Sequence, residues 1–136
     1  MLGRTLMGLS FALLLLGCEG PTQSKIPPQT WQGIRVAVET RPTPVRAGMN
    51  EIWVIFNDQR RRPVSDLLVE LSVSGENKAP VQAIQDGLSG VYRRAVYISE
   101  PATQQLQIHL RRGENRGLLT FPLIVDAAAP EPVSGP

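Results

Sequence analysis

Cysteine and histidine are almost absent: Cys18 and His109 are the only ones in 136 residues. A single thiol can close no internal disulfide, so the fold must hold without a covalent staple. A single histidine with no motif around it leaves nucleophilic catalysis without its base and orienting group. No G-x-S-x-G, paired-carboxylate motif, phosphate loop or metal-spaced cysteine pair occurs. Neither charge dominates, with 14 basic and 12 acidic side chains, so a nucleic-acid partner is not expected. Long apolar runs are also missing, apart from one near the start.

That run, Leu6 to Leu16, follows Arg4 and is too short to span a bilayer as a helix. It reads as the h-region of an export signal. It ends in Leu15-Leu16-Gly17-Cys18, which resembles the lipobox of bacterial lipoproteins, so residues 1–17 are expected to be a signal peptide and Cys18 the lipidated new N-terminus. Leu16 is bulkier than the residue usual at that place. Acyl chains there would anchor the chain to a membrane, since each buried methylene contributes about 0.8 kcal/mol. Removing the signal takes away only one charge, that of Arg4.

Residues 18–32 are rich in Pro, Gln, Thr and Ser and lack a periodic pattern, and read as a flexible tether. Residues 127–136 hold three prolines and few apolar anchors, and read as a disordered tail. Between them, residues 33–126 are expected to form one domain. Apolar residues there alternate at period two, as in Leu106, Ile108 and Leu110, in Ile34, Val36 and Val38, and in Leu67, Val69, Leu71 and Val73. With Asn50 to Asn57, Pro80 to Gln85, Gly90 to Ile98 and Gly117 to Val125, seven strands are expected. No window offers a helix. Turn-formers separate the runs, among them Asn57-Asp58 to Pro63 and Asp86-Gly87 to Gly90. Short, evenly spaced antiparallel strands imply an all-β fold, an immunoglobulin-like β-sandwich of about seven strands, with a barrel as the alternative.

The run Pro44-x-x-x-Gly48-x-Asn50-x-Ile52-x-Val54-x-Phe56, then Asp58, Pro63-Val64, Leu71-x-Val73 and Gly90-Val91-Tyr92, resembles the bacterial YtkA-like and FixH-like immunoglobulin-fold domains over roughly residues 41–125. The resemblance implies a sandwich and, in some members, copper handling or assembly of respiratory complexes. It implies no ligand set here. Outside Cys18, only Met49 and His109 remain in the processed chain as soft or imidazole ligands, too few for a copper site within one chain. His109 sits at an outward strand position and reads as a surface residue, Met49 as a loop or core-rim residue. No cofactor and no enzymatic activity are expected.

Two strands carry apolar residues at outward parity. If Ile52, Val54 and Phe56 face the core, Trp53 and Ile55 face out. Tyr92, Val96 and Ile98 form the better inward set of the later strand, which puts Arg93, Ala95 and Tyr97 outside. Arg94 then shares the inward parity. In an immunoglobulin-like topology these strands are neighbours, so Trp53, Ile55, Arg93 and Tyr97 would make a contiguous partner-binding patch of residue types enriched at hot spots. Opposite parity, or a tether folding back through Trp31, would cover it. The expected role is therefore a membrane-anchored, non-catalytic protein-interaction module in the cell envelope. The alternatives are an accessory factor in metal delivery or respiratory assembly, implied by the family resemblance, and a carbohydrate binder that stacks sugars on exposed aromatics. The arginines at 60, 61 and 62 read as a solvated hairpin tip.

Cys18→Ser is expected to abolish incorporation of labelled fatty acid and to release the protein from the membrane fraction; a wild-type chain that takes up no label and fractionates as soluble would overturn the anchor.

Overall fold

The structure is a computed structural model that describes residues 26–85 and 87–124. Cys18, Asp86 and the expected signal and tail lie outside the described residues. Eight strands form: β1 (Gln29–Trp31), β2 (Ile34–Arg41), β3 (Gly48–Asn57), β4 (Leu68–Val73), β5 (Val81–Gln85), β6 (Val91–Ile98), β7 (Gln105–Arg112) and β8 (Asn115–Pro122). All pairings are antiparallel, in the continuous order β1-β2-β3-β6-β5-β4-β7-β8. No helix among the described residues is long and apolar enough to cross a membrane.

Period-two alternation is what builds this sheet. One parity of each strand is buried: Ile34, Val36 and Val38 of β2, Ile52, Val54 and Phe56 of β3, Val69, Leu71 and Val73 of β4, and Leu106, Ile108 and Leu110 of β7. These side chains meet in a single core with Tyr92, Ile98 and Phe121. Tyr92 packs edge-on to Phe56 at 5.3 Å. Its hydroxyl accepts from the Leu67 amide (3.1 Å) and from Gln85 Nε2 (3.0 Å), so a buried aromatic carries no unmet polar group.

β5 is the seam of the sheet. Its first three residues pair with β4, Val81 to Leu71, Gln82 to Glu70 and Ala83 to Val69, and its last two with β6, Ile84 to Arg93 and Gln85 to Tyr92. The strand thus changes neighbour in mid-course and joins the two halves. Arg94, on the inward parity of β6, is exposed beside this crossover. The two ends of the order also approach one another: Gln29 Nε2 donates to Thr120 C=O (2.6 Å), and the Trp31 indole lies over Gly117, where any Cβ would collide with it. The sheet is nearly closed, like a barrel.

The expectation of seven strands and a tether through Gln32 is corrected at the N-terminal end. Residues 29–31 form a strand paired with Trp31↔Ile34, Thr30↔Arg35 and Gln29↔Val36, and Ile26 already packs on the core. Gln32 (φ 48°) and Gly33 (φ 75°) make the two-residue turn with both φ values positive that matches the twist of a hairpin. Trp31 therefore lies against β8, not over the outward faces of β3 and β6.

Gly90 opens β6 at φ +72°, and a Cβ there would stand 2.8 Å from both the Phe56 carbonyl oxygen and Pro63 Cβ. Both the conformation and the space require glycine. Gly90→Ala is expected to destabilise the domain by about 1–3 kcal/mol, read as a lower urea midpoint with unchanged m; an unaltered midpoint would show that this approach is not tight.

Candidate interaction surface

The wider cleft, about 610 Å³, lies at the end of the molecule formed by the β3–β4 connection and is lined by Asp58, residues 62–66 and Arg112. Its charges are paired among themselves. Arg62 Nε meets Asp58 Oδ2 at 2.9 Å and Arg112 Nε meets Asp66 Oδ2 at 2.8 Å. Asp58 Oδ1 also accepts the amides of Arg60 and Arg62, so Asp58 is the turn-former its sequence context suggests. The Arg62 backbone bond first, and the arginine contacts after it, hold the Asp58 carboxyl below the usual carboxylate value. The Arg112 hydrogen bond does the same for Asp66. Ser65 is occupied as well, its hydroxyl accepting from the Gly90 amide and its carbonyl from Gln85 Nε2.

His109 is half-buried at the outward parity of β7, opposite Glu70 of β4 and Leu118 of β8. Its Nε2 is 3.0 Å from Ser72 Oγ, which in turn is 3.2 Å from Gln107 Oε1. One assignment of hydrogens satisfies all three: Nε2–H donates to Ser72, and the serine hydroxyl donates to Gln107. The pair is a cross-strand clasp between β4 and β7. Met49, the other soft ligand, stands on β3 in the other half of the sheet, and no cluster of three His, Cys, Asp or Glu suited to a metal occurs among the described residues.

β3 and β6 are adjacent, with Trp53 opposite Arg93, Ile55 opposite Val91 and Met49 opposite Tyr97. All four residues singled out from parity thus lie on one outward face, but unequally open. Trp53, Ile55 and Arg93 are half-buried, whereas Tyr97 is exposed. Trp53 is roofed by cations: the Arg41 guanidinium stands 4.0 Å from its ring and that of Arg93 5.8 Å, with Arg93 Nη1 also 3.0 Å from Glu51. Such stacking is favourable and shields the ring. It leaves the indole Nε1 buried with no hydrogen-bond partner among the described residues.

The open apolar surface lies alongside. Met49 is 63 % exposed, Ile84 53 % and Tyr97 42 %. Parity reasoning missed Met49 because the strand was begun at Asn50; extended by two residues, the same alternation places Met49 with Trp53 and Ile55. Ile84 is carried there by β5 switching sides, which no local pattern encodes. Next to Met49 and Tyr97 a cleft of about 180 Å³ opens, lined also by Leu71, Val73, Val81 and Ala95. Lys78 Nζ stands 4.7 Å from the Tyr97 ring. Glu76, at its rim, accepts the Ser99 amide (3.1 Å) and Gln104 Nε2 (3.0 Å), and nearly buried Gln104 also donates to Ser99 Oγ.

Comparison with protein-family models, with curated proteins and with solved structures finds no match. What the chain does is therefore argued from its own surface.

The Gln104 hydrogen bond, then those from Ser99, hold the Glu76 carboxyl below its ordinary value of 4.5. A depressed folded-state pKa gives stability that is present above that value and is lost as pH falls through the lower one. Wild type is therefore expected to lose thermal stability relative to Glu76→Gln as pH drops below about 4.5; parallel pH profiles for the two proteins would contradict this anchoring of the β4–β5 loop.

Proposed function

We propose that this chain is a lipoprotein of the bacterial cell envelope that acts as a non-catalytic protein-interaction module. The observation that carries this reading is the outward face of β3 and β6, where exposed Met49 and Tyr97 stand opposite one another at the mouth of a cleft. Scattered surface apolar residues need no explanation, but two paired across neighbouring strands beside one concavity do. The charged end of the molecule offers a partner less, since its arginine–aspartate contacts are already made internally.

Strand order supports the finer, immunoglobulin-like reading. Apart from β1, the order separates at β5 into β2-β3-β6-β5 and β4-β7-β8, the four-plus-three arrangement of a constant-type immunoglobulin domain. A β5 that pairs with strands of both groups fits such a sandwich with one strand shared at its edge.

Anchoring through Cys18 gives the surface its setting. Ile26 packs on the core, so residues 19–25 alone would link the lipid to the domain, a reach of at most about 25 Å. β1 runs toward the turn at Gly33, and its first residue, Gln29, stands level with Val36 of β2 and Phe56 of β3. A link of that length would hold the cleft within reach of a partner at the same membrane.

Met49→Ser with Tyr97→Ala tests the surface more cleanly than a change at half-buried Trp53, because little packing is lost. The double variant is expected to lose about 1 kcal/mol or less of stability and to lose the envelope protein that cross-links to wild type in detergent-solubilised membranes. An identical cross-linked set in both proteins would sink the interaction reading.

A further inference from the structure

Main-chain hydrogen bonding along β6 can be followed residue by residue. Phe56 N–H donates to Gly90 C=O at 2.8 Å. In the antiparallel ladder that continues from this pair, even-numbered residues of β6 turn their main-chain groups toward β3, and odd-numbered residues turn theirs away. Arg93, the first odd residue beyond the opening turn, is opposite Ile84 of β5. Ser99, just past the strand, gives its amide to Glu76 Oε1 at 3.1 Å. Between them stand Ala95 and Tyr97, whose N–H and C=O groups point to the cleft side of β6 and have no ladder pairing with β5 there.

An unpaired strand edge is a template for another strand. The cleft adds side-chain features to that template. Tyr97 and Met49 form an apolar wall on one side, and Val81 and Ala79 stand on the other. Charge is decided by which groups are already engaged. Glu76 is bonded to Ser99 and Gln104; the Lys78 ammonium sits over the Tyr97 ring, near enough to Glu76 to favour its charged form, and makes no direct ion pair within 4 Å among the described residues. Arg94, just before Ala95, adds a second exposed cation.

We propose that the edge of β6 at Ala95 and Tyr97 takes up an extended acidic segment of a partner protein as an added strand. The segment pairs with both residues, sets a carboxylate on Lys78, and lays an apolar side chain against Tyr97 and Met49. This rests on the interaction-module reading and names how the module binds. Glu76 already does in small what the segment would do: its carboxylate occupies the next amide along the same edge.

The test uses the full chain, isotope-labelled in detergent micelles and titrated with two capped peptides, Asp-Val-Glu-Val-Asp-Val and Lys-Val-Lys-Val-Lys-Val. With the acidic peptide, the Ala95 and Tyr97 amides are expected to shift and to gain protection from hydrogen exchange. Ala95→Pro deletes only the donor that faces the cleft and leaves the ladder to β3, and is expected to weaken binding by about tenfold or more. Should that variant fail to fold, Lys78→Glu at an exposed position carries the test by abolishing the preference for the acidic peptide. No change at these amides with either peptide overturns the proposal, as does equal binding of both. Concentration-dependent dimerisation through the same amides without peptide assigns the edge to a second copy of the chain and also overturns it. A cross-linked envelope partner that survives Ala95→Pro but is lost with Met49→Ser and Tyr97→Ala keeps the interaction module and rejects the added strand.

Discussion

A five-residue strand cannot hydrogen bond along its whole length to two neighbours that diverge. β5 faces this constraint: it serves β4 through Ala83 and β6 from Ile84 onward. Its crossover joins the two halves of the sheet and brings Val69, Leu71, Tyr92 and Phe56 into one core. The same crossover withdraws a partner from the upper part of β6. The junction that makes the sheet continuous is therefore also what leaves Ala95 and Tyr97 facing a cleft instead of a strand.

Other places where main-chain groups run out of ladder partners are closed by side chains, as buried polar groups require. Buried Asn50 bonds three groups of the β2–β3 connection, accepting from the Arg46 amide and donating to the carbonyls of Arg46 and Gly48. Gln104 and Glu76 close the end of β6, and Asp58 closes the turn after β3. Between β1 and β8 the closure is steric, an indole laid on the one residue of β8 that has no side chain. Against that pattern the β6 edge at Ala95 and Tyr97 stands out, because β5 pairs there with β4 instead.

Alternation made most of the core legible in the sequence, because a half-buried strand must place its apolar residues at period two whatever its partners are. The outward placement of Trp53, Ile55, Arg93 and Tyr97 followed from the same rule. β1 was not legible: three residues after two prolines carry too little alternation, and its pairing depends on a Gln-Gly turn and on a distant glycine at 117. The openness of the surface was not legible either. Parity puts Trp53 outside, but whether it is bare depends on Arg41 and Arg93, each from a different strand, reaching over it. Arg94 shows the converse, an inward parity left exposed because β5 changes sides beside it.

Burial and availability thus come apart on this face, and the difference decides where a partner can bind. Trp53 has the chemistry of a hot spot, yet a partner reaching it would first have to displace two guanidinium groups, one of them tied to Glu51. Tyr97 needs only a shift of Lys78, a long side chain whose ammonium remains solvated in either position. Contact with Tyr97 would also bring the proposed partner within reach of β6 main-chain groups that β5 does not pair, and these would constrain direction and register in a way that an apolar patch cannot. For the proposed partner the smaller aromatic at the open edge would accordingly be the better foothold, the larger one beside it being already covered by two guanidinium groups.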